Sequence, residues 1–171
     1  MRRLFVLRHA KSDWGQPGLA DHDRPLAPRG RRAAGLLAAH LAKEEVAPDV
    51  VLCSTARRAR ETFELVQDAL PASTTVFFER RLYGAASDEL RARLHEVPDG
   101  DPSVMVVGHN PGLQDLVLEL APAADPELVS RVEAKFPTAA FAAVDLDVDR
   151  WTGVHPGTGR LVAYVTPHDL A

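Results

Sequence analysis

Three blocks of this chain are apolar without interruption: Leu4-Phe5-Val6-Leu7, Val50-Val51-Leu52-Cys53 and Val104-Met105-Val106-Val107. A strand with one wet face alternates apolar and polar residues, so unbroken runs of this length read as short strands buried on both faces. Between them lie segments with helical spacing. Residues 31–43 carry Ala33, Leu37 and Leu41 on one side, followed after the second block by Ala59, Phe63, Val66 and Leu70. Leu90, Leu94 and Val97 mark a third helix, and Leu113, Leu116, Val117 and Leu120 a fourth. Strands buried on both faces and alternating with amphipathic helices specify an α/β fold, a three-layer α/β/α sandwich around a mostly parallel central sheet. Residues 74–78 are a further strand by β-branched and aromatic content, and residues 141–146 and 161–166 two final ones.

Start signals complete the reading. Ser54 is expected to cap the second helix, and Ser87 with Asp88 and Glu89 to open the third. Asn110 with Pro111 is expected to start the fourth, and Asp125-Pro126 a fifth that runs to about Lys135. A chain of 171 residues without an internal repeat or linker is expected to form one domain, 1–171. The net charge of −4 argues against a nucleic-acid partner, and no apolar run is long enough for a membrane span. The lone Cys53 allows no internal disulfide and fits a reducing, cytoplasmic setting.

Each of the three apolar blocks runs into basic residues. The first ends in Arg8-His9, the second leads to Arg57-Arg58 in the first turn of a helix, and the third ends in Gly108-His109-Asn110-Pro111. Parallel strands bring these ends to one sheet edge, where α/β proteins open their clefts. Two imidazoles, guanidinium groups and helix N-termini make an anion site, and a phosphoryl group in transfer needs fixed donors around its equatorial oxygens. A histidine can serve as the nucleophile there. The polar loop 12–28, too long for a plain connector, is expected to be functional.

Leu7-Arg8-His9-Ala10, Ser54-x-x-x-Arg58-Ala59-x-x-Thr62 and Gly108-His109-Asn110-Pro111, in this order, resemble the motifs of the histidine phosphatase superfamily. Asp23-Arg24-Pro25-Leu26-x-x-Arg29-Gly30 and the short length are similar to its SixA-type phosphohistidine phosphatase branch. The resemblance implies that His9 is the phosphorylated nucleophile and that Arg8, Arg58 and His109 bind the phosphoryl group. It implies no cofactor and no metal, with a phosphorylated protein or a small phosphorylated metabolite as substrate. Ser12, His22, Arg24, Glu79 and Asn110 are the further residues expected around that substrate. Arg57 is one position out of register with the motif and is expected on the rim or surface.

Two departures matter. Ala10 stands where phosphoglycerate-mutase-like relatives have glycine, and Glu79-Arg80-Arg81-Leu82-Tyr83-Gly84 is one residue longer than their Glu-Arg-x-Tyr-Gly. Glu79 is therefore either an acid in the site or a residue turned out of it. A phosphohistidine phosphatase is the leading expectation, a small-molecule phosphomonoesterase the alternative, and a non-catalytic phosphate-binding module a weaker third. Two other chemistries are set aside. Cys53 lacks the Cys-x5-Arg spacing of cysteine phosphatases, because residue 59 is alanine. Asp21-His22-Asp23 are adjacent loop residues, which rarely face one ion, and they lack metal-ligand spacing.

Overall fold

A computed structural model describes residues 1–122 and 125–171. Its strands are β1 (Arg2–Arg8), β2 (Val50–Ser54), β3 (Thr75–Glu79), β4 (Ser103–Gly108), β5 (Phe141–Leu146) and β6 (Gly159–Val165). The helices are α1 (Pro28–Lys43), α2 (Arg57–Val66), α3 (Ser87–Leu94), α4 (Gly112–Leu120), α5 (Pro126–Ala134) and the short α6 (Pro167–Leu170). The strands form one sheet in the order β3-β2-β4-β1-β5-β6. β1, β2, β3 and β4 pair in parallel, and β5 is antiparallel to both β1 and β6, so β5 alone runs against the rest.

The unbroken apolar blocks are central strands, as their composition requires. Along β1, Leu4 and Val6 belong to a core shared with α3, α4 and α5, while Phe5 and Leu7 face a second core with α1 and α2. This two-residue alternation distributes one strand between two helical layers. The anticipated helix faces are buried, with one adjustment: Ala34 is fully buried in α1 and Ala33 only partly.

Helix starts are where sequence and structure part. Ser54 is the last residue of β2 rather than a cap; α2 starts at Arg57, behind Ala56. α4 starts at Gly112 behind Pro111, one residue later than the Asn110-Pro111 signal suggests. Asp125 does cap α5, accepting the Glu127 N–H at 2.9 Å. α1 starts three residues before the anticipated Arg31, with Pro28 in its first turn, where a missing N–H costs nothing. Among the described residues no helix is long and apolar enough to cross a membrane.

Because β4 is inserted between β2 and β1, the chain reverses its direction of travel across the sheet there. The carboxyl ends of β1, β2 and β4 thus open onto a crevice at a topological switch point.

Candidate active site

In register, Arg8 lies opposite Gly108 and Cys53 opposite Val107, so Arg8, Ser54 and Gly108 end side by side. His9 follows directly, and its N–H donates to the Gly108 carbonyl at 3.0 Å. The crevice holds a cavity of about 210 Å³ lined by Arg8, His9, Ser12, Arg24, Arg58, His109 and Asn110. The residues expected from three separate motifs therefore converge.

Hydrogen bonds fix the two imidazoles. His9 Nδ1 lies 2.7 Å from the Ala10 carbonyl, which can only accept, so the proton sits on Nδ1 and the Nε2 lone pair is free. Burial, aided by His109, Arg58 and Arg8, pushes the His9 pKa down to about 3, so the ring is neutral near pH 7. The backbone N–H of Ala10 donates to Thr62 Oγ1 at 2.9 Å, and that hydroxyl donates to the Arg58 carbonyl at 2.7 Å. Thr62 thereby ties the turn after β1 to the helix that carries Arg58.

His109 Nε2 lies 2.8 Å from Ser54 Oγ, which also accepts the Ala56 N–H at 3.2 Å. Both groups at Ser54 are satisfied when its hydroxyl donates to His109 Nε2, which leaves the His109 proton on Nδ1. That Nδ1 is buried without a partner among the described residues, and so are Arg8 Nε and Arg58 Nε. Orphaned buried donors are rare, and each costs about 1–3 kcal/mol when nothing accepts from it. All three belong to residues that line the one cavity, which suits it to an anionic acceptor. A fourth orphan, Arg2 Nε, is at the far end of β1. Burial and Arg58 push the His109 pKa down to about 4, which an anion in the cavity would reverse.

Asp21, in a 3₁₀ turn of the long loop, organises the rim. Its carboxylate accepts from Arg24 Nε at 3.0 Å, from an Arg58 terminal nitrogen at 3.0 Å and from the Tyr83 hydroxyl. Those bonds, Tyr83 first, hold its carboxyl well below the usual range. Arg24 also donates to Ser12 Oγ at 2.6 Å and stacks on the Trp14 ring at 3.4 Å. The Tyr83 ring in turn packs edge-on against both His22 and His109. Asp21, Ser54, Thr62 and Tyr83 were not singled out as site residues by sequence. Ser54, Thr62 and Tyr83 stand inside the motifs, where their hydroxyls are a usable signal; Asp21 has only its place three residues before Arg24.

Other expected residues divide. Ser12, Arg24 and Asn110 line the cavity. The Asn110 side chain is already engaged: its amide donates to the Phe136 carbonyl at 3.0 Å and its oxygen accepts the Gln114 N–H at 3.3 Å. His22 lies outside the cavity, hydrogen-bonded to Thr55 at 2.8 Å beside a cleft with Arg57 and Arg60. Glu79 also lies outside. β3 ends at Glu79, and a 3₁₀ turn over Arg80–Leu82 then carries Tyr83, not Glu79, to the rim. Arg93 grips Glu79 with two bonds of 2.7 and 2.9 Å and Arg81 adds one of 3.1 Å, which holds its pKa down. Arg57 is exposed and pairs with Glu61 at 3.1 Å. Cys53 is fully buried, and that burial pushes its thiol up, away from thiolate chemistry. No group of three or more His, Cys, Asp or Glu able to hold a metal occurs among the described residues.

The pattern of the histidine phosphatase superfamily (branch 1) matches residues 4–83. An uncharacterised protein of Mycobacterium tuberculosis is 40% identical, over 94% of this chain and 99% of its own length. Phosphohistidine phosphatase SixA of Escherichia coli is 34% identical, over 85% of this chain and 86% of its own length. A solved structure of a "putative phosphohistidine phosphatase SixA" from Nakamurella multipartitia superposes with a TM-score of 0.82 at 32% identity, covering 97% of this chain and 96% of that one. The chain, with its converging arginines and paired imidazoles, belongs to the histidine phosphatase superfamily, in the SixA-type branch.

Proposed function

We propose that the chain, as a single domain, hydrolyses phosphohistidine on proteins through a covalent phosphohistidine at His9, without a metal. His9 Nε2 supplies the electron pair that forms the new N–P bond, while the substrate's N–P bond breaks and its pair returns to the leaving imidazole. Arg8, Arg58 and His109 donate to the equatorial oxygens, which is what their orphaned N–H groups call for. Ser12 and Arg24 line the same cavity and extend the polar lining. A water then attacks phospho-His9, releasing phosphate and a proton and restoring neutral His9.

One observation carries the choice of substrate: two candidate acids, Asp21 at the rim and Glu79 beyond it, are held ionised by partners, Asp21 by Tyr83, Arg24 and Arg58, and Glu79 by Arg93 and Arg81. An alkoxide leaving group needs a proton at the moment of departure. A leaving imidazole has a conjugate acid of pKa about 6.5 and takes its proton from solvent. The similarity to the Escherichia coli phosphohistidine phosphatase supports the same reading.

The test is a substrate panel run in EDTA with a phosphohistidine protein, an aryl phosphate and a sugar phosphate. The first two should turn over, with label trapped on His9, and His9→Ala should lose activity by several orders of magnitude. Glu79→Gln should change each rate by about threefold at most, under 1 kcal/mol. Efficient sugar-phosphate hydrolysis that collapses in Glu79→Gln would make Glu79 the general acid and the chain a phosphomonoesterase. Label on Cys53 or Ser54 would refute the mechanism, and loss of activity in EDTA would refute metal independence.

A further inference from the structure

Beside the phosphoryl cavity runs a second, larger groove of about 570 Å³, and the two share Lys11 and Thr138 as a common wall. Its sides come from the first turns of α1, the C-terminal end of α5 and the start of α6. The lining is largely apolar, with Ala33, Ala134, Pro137, Tyr164 and Pro167 beside the polar Thr138, Thr166 and His168, and it contains Lys11, Arg29, Arg131 and Lys135 but, among the described residues, no carboxylate. Arg131 is neutralised by Asp169 at 2.6 Å and lies over the Tyr164 ring. Lys11, Arg29 and Lys135 form no ion pair among the described residues. On a chain of net charge −4, three unpaired cations around one groove are a local exception and draw acidic partners to this face.

We propose that this groove docks the acidic, partly aliphatic polypeptide segment that carries the phosphohistidine, with carboxylates on Lys11, Arg29 and Lys135 and aliphatic side chains on the floor. The identity of the cargo rests on the phosphohistidine reading above; the docking chemistry does not. A peptide that alternates Glu with Leu satisfies rim and floor together. Continuity through Lys11 and Thr138 places such a segment beside the reacting atoms.

The experiment compares three short peptides of equal length, with Leu interleaved with Glu, Gln or Lys, against the wild type and the double variant Arg29→Glu, Lys135→Glu. Neither substituted residue lines the phosphoryl cavity. By fluorescence anisotropy at low salt, the wild type should bind the Glu peptide about tenfold more tightly than the Gln peptide, the scale of two or three exposed ion pairs. The double variant should lose that preference and favour the Lys peptide, a gain that misfolding cannot mimic, with aryl phosphate turnover within about twofold of wild type. Equal binding of the Glu and Gln peptides by the wild type, or an unchanged preference in the variant, overturns the proposal. So does sedimentation showing a wild-type dimer that the variant loses, which would give the groove to a second copy of the chain. Turnover of free phosphohistidine reads the other question separately. Its absence, with charge-dependent peptide binding retained, overturns the phosphohistidine reading and leaves the docking surface supported.

Discussion

Acidification should destabilise this fold in a window that isolates the two active-site imidazoles. The pKa of His9 is lowered from 6.5 to about 3 and that of His109 to about 4, in both cases chiefly by burial. Above pH 6.5 both rings are neutral in the folded and unfolded chains, and their contribution to stability is complete. Below it the unfolded chain takes up two protons that the folded chain refuses, so stability falls as pH falls, by about 1.4 kcal/mol per pH unit for each ring. At pH 5 the loss is about 2 kcal/mol per imidazole and about 4 kcal/mol in all, a large part of the 5–15 kcal/mol typical of a domain. The depressed carboxyls of Asp21 and Glu79 act lower, near their unfolded values of 3.8 and 4.5. Urea unfolding between pH 7 and pH 5 reads the effect directly: at about 2 kcal/mol/M the midpoint should fall by roughly 2 M. His9→Asn and His109→Asn should each remove about half of the slope. A full slope in either variant, or a loss confined to pH below 4.5, would refute the reasoning.

Arg58→Ala should cost about 2–4 kcal/mol of transition-state stabilisation in kcat/KM, as loss of a preorganised donor does, whereas Arg57→Ala removes only an exposed pair with Glu61 and should cost under about 1 kcal/mol. Equal losses at the two positions would place the clamp one residue away. Gly30→Ala should destabilise the chain by about 1–3 kcal/mol in the same urea assay, because a Cβ there would stand 2.1 Å from the Lys11 carbonyl oxygen, so α1 or the cavity wall must move. A wild-type midpoint in that variant would show the approach to be slack.

The layers of the fold were legible because burial on two faces leaves a compositional trace: only unbroken apolar runs survive there, and only 3.6-residue periodicity covers them. The helix starts were less so. Ser54 has the composition of a cap, yet Ser54 pairs with Glu79 in the sheet and gives its hydroxyl to His109, so tertiary contacts outweigh the local preference. The loop 12–28 carries no periodicity at all. Side-chain bonds from Arg24 to Ser12 and Asp21, and a bridge between Ser12 and Leu26, order it; such contacts leave no pattern along the chain.

The site divides along the same line. Arg8, His9 and His109 sit at strand ends and Arg58 in the first turn of the following helix, so sequence position alone delivers them to one edge. Asp21 and Tyr83 meet only in three dimensions, 62 residues apart along the chain. Their meeting decides the chemistry more than either identity does. The 3₁₀ turn after β3 takes up the extra residue between Glu79 and Tyr83; it delivers the tyrosine to the rim and leaves the glutamate with Arg93 and Arg81. The Tyr83 hydroxyl donates a hydrogen bond to Asp21, which raises the tyrosine's own pKa, so the phenol keeps its proton while the carboxylate stays ionised. The turn thus leaves one candidate acid paired with arginines away from the cavity and brings the tyrosine that helps to hold the other in its charged form. On the proposed reading, what is left around His9 is suited to binding and orienting a phosphoryl group and offers no neutral carboxyl at Asp21 or Glu79 to protonate a leaving group. That combination favours substrates whose leaving group finds its own proton.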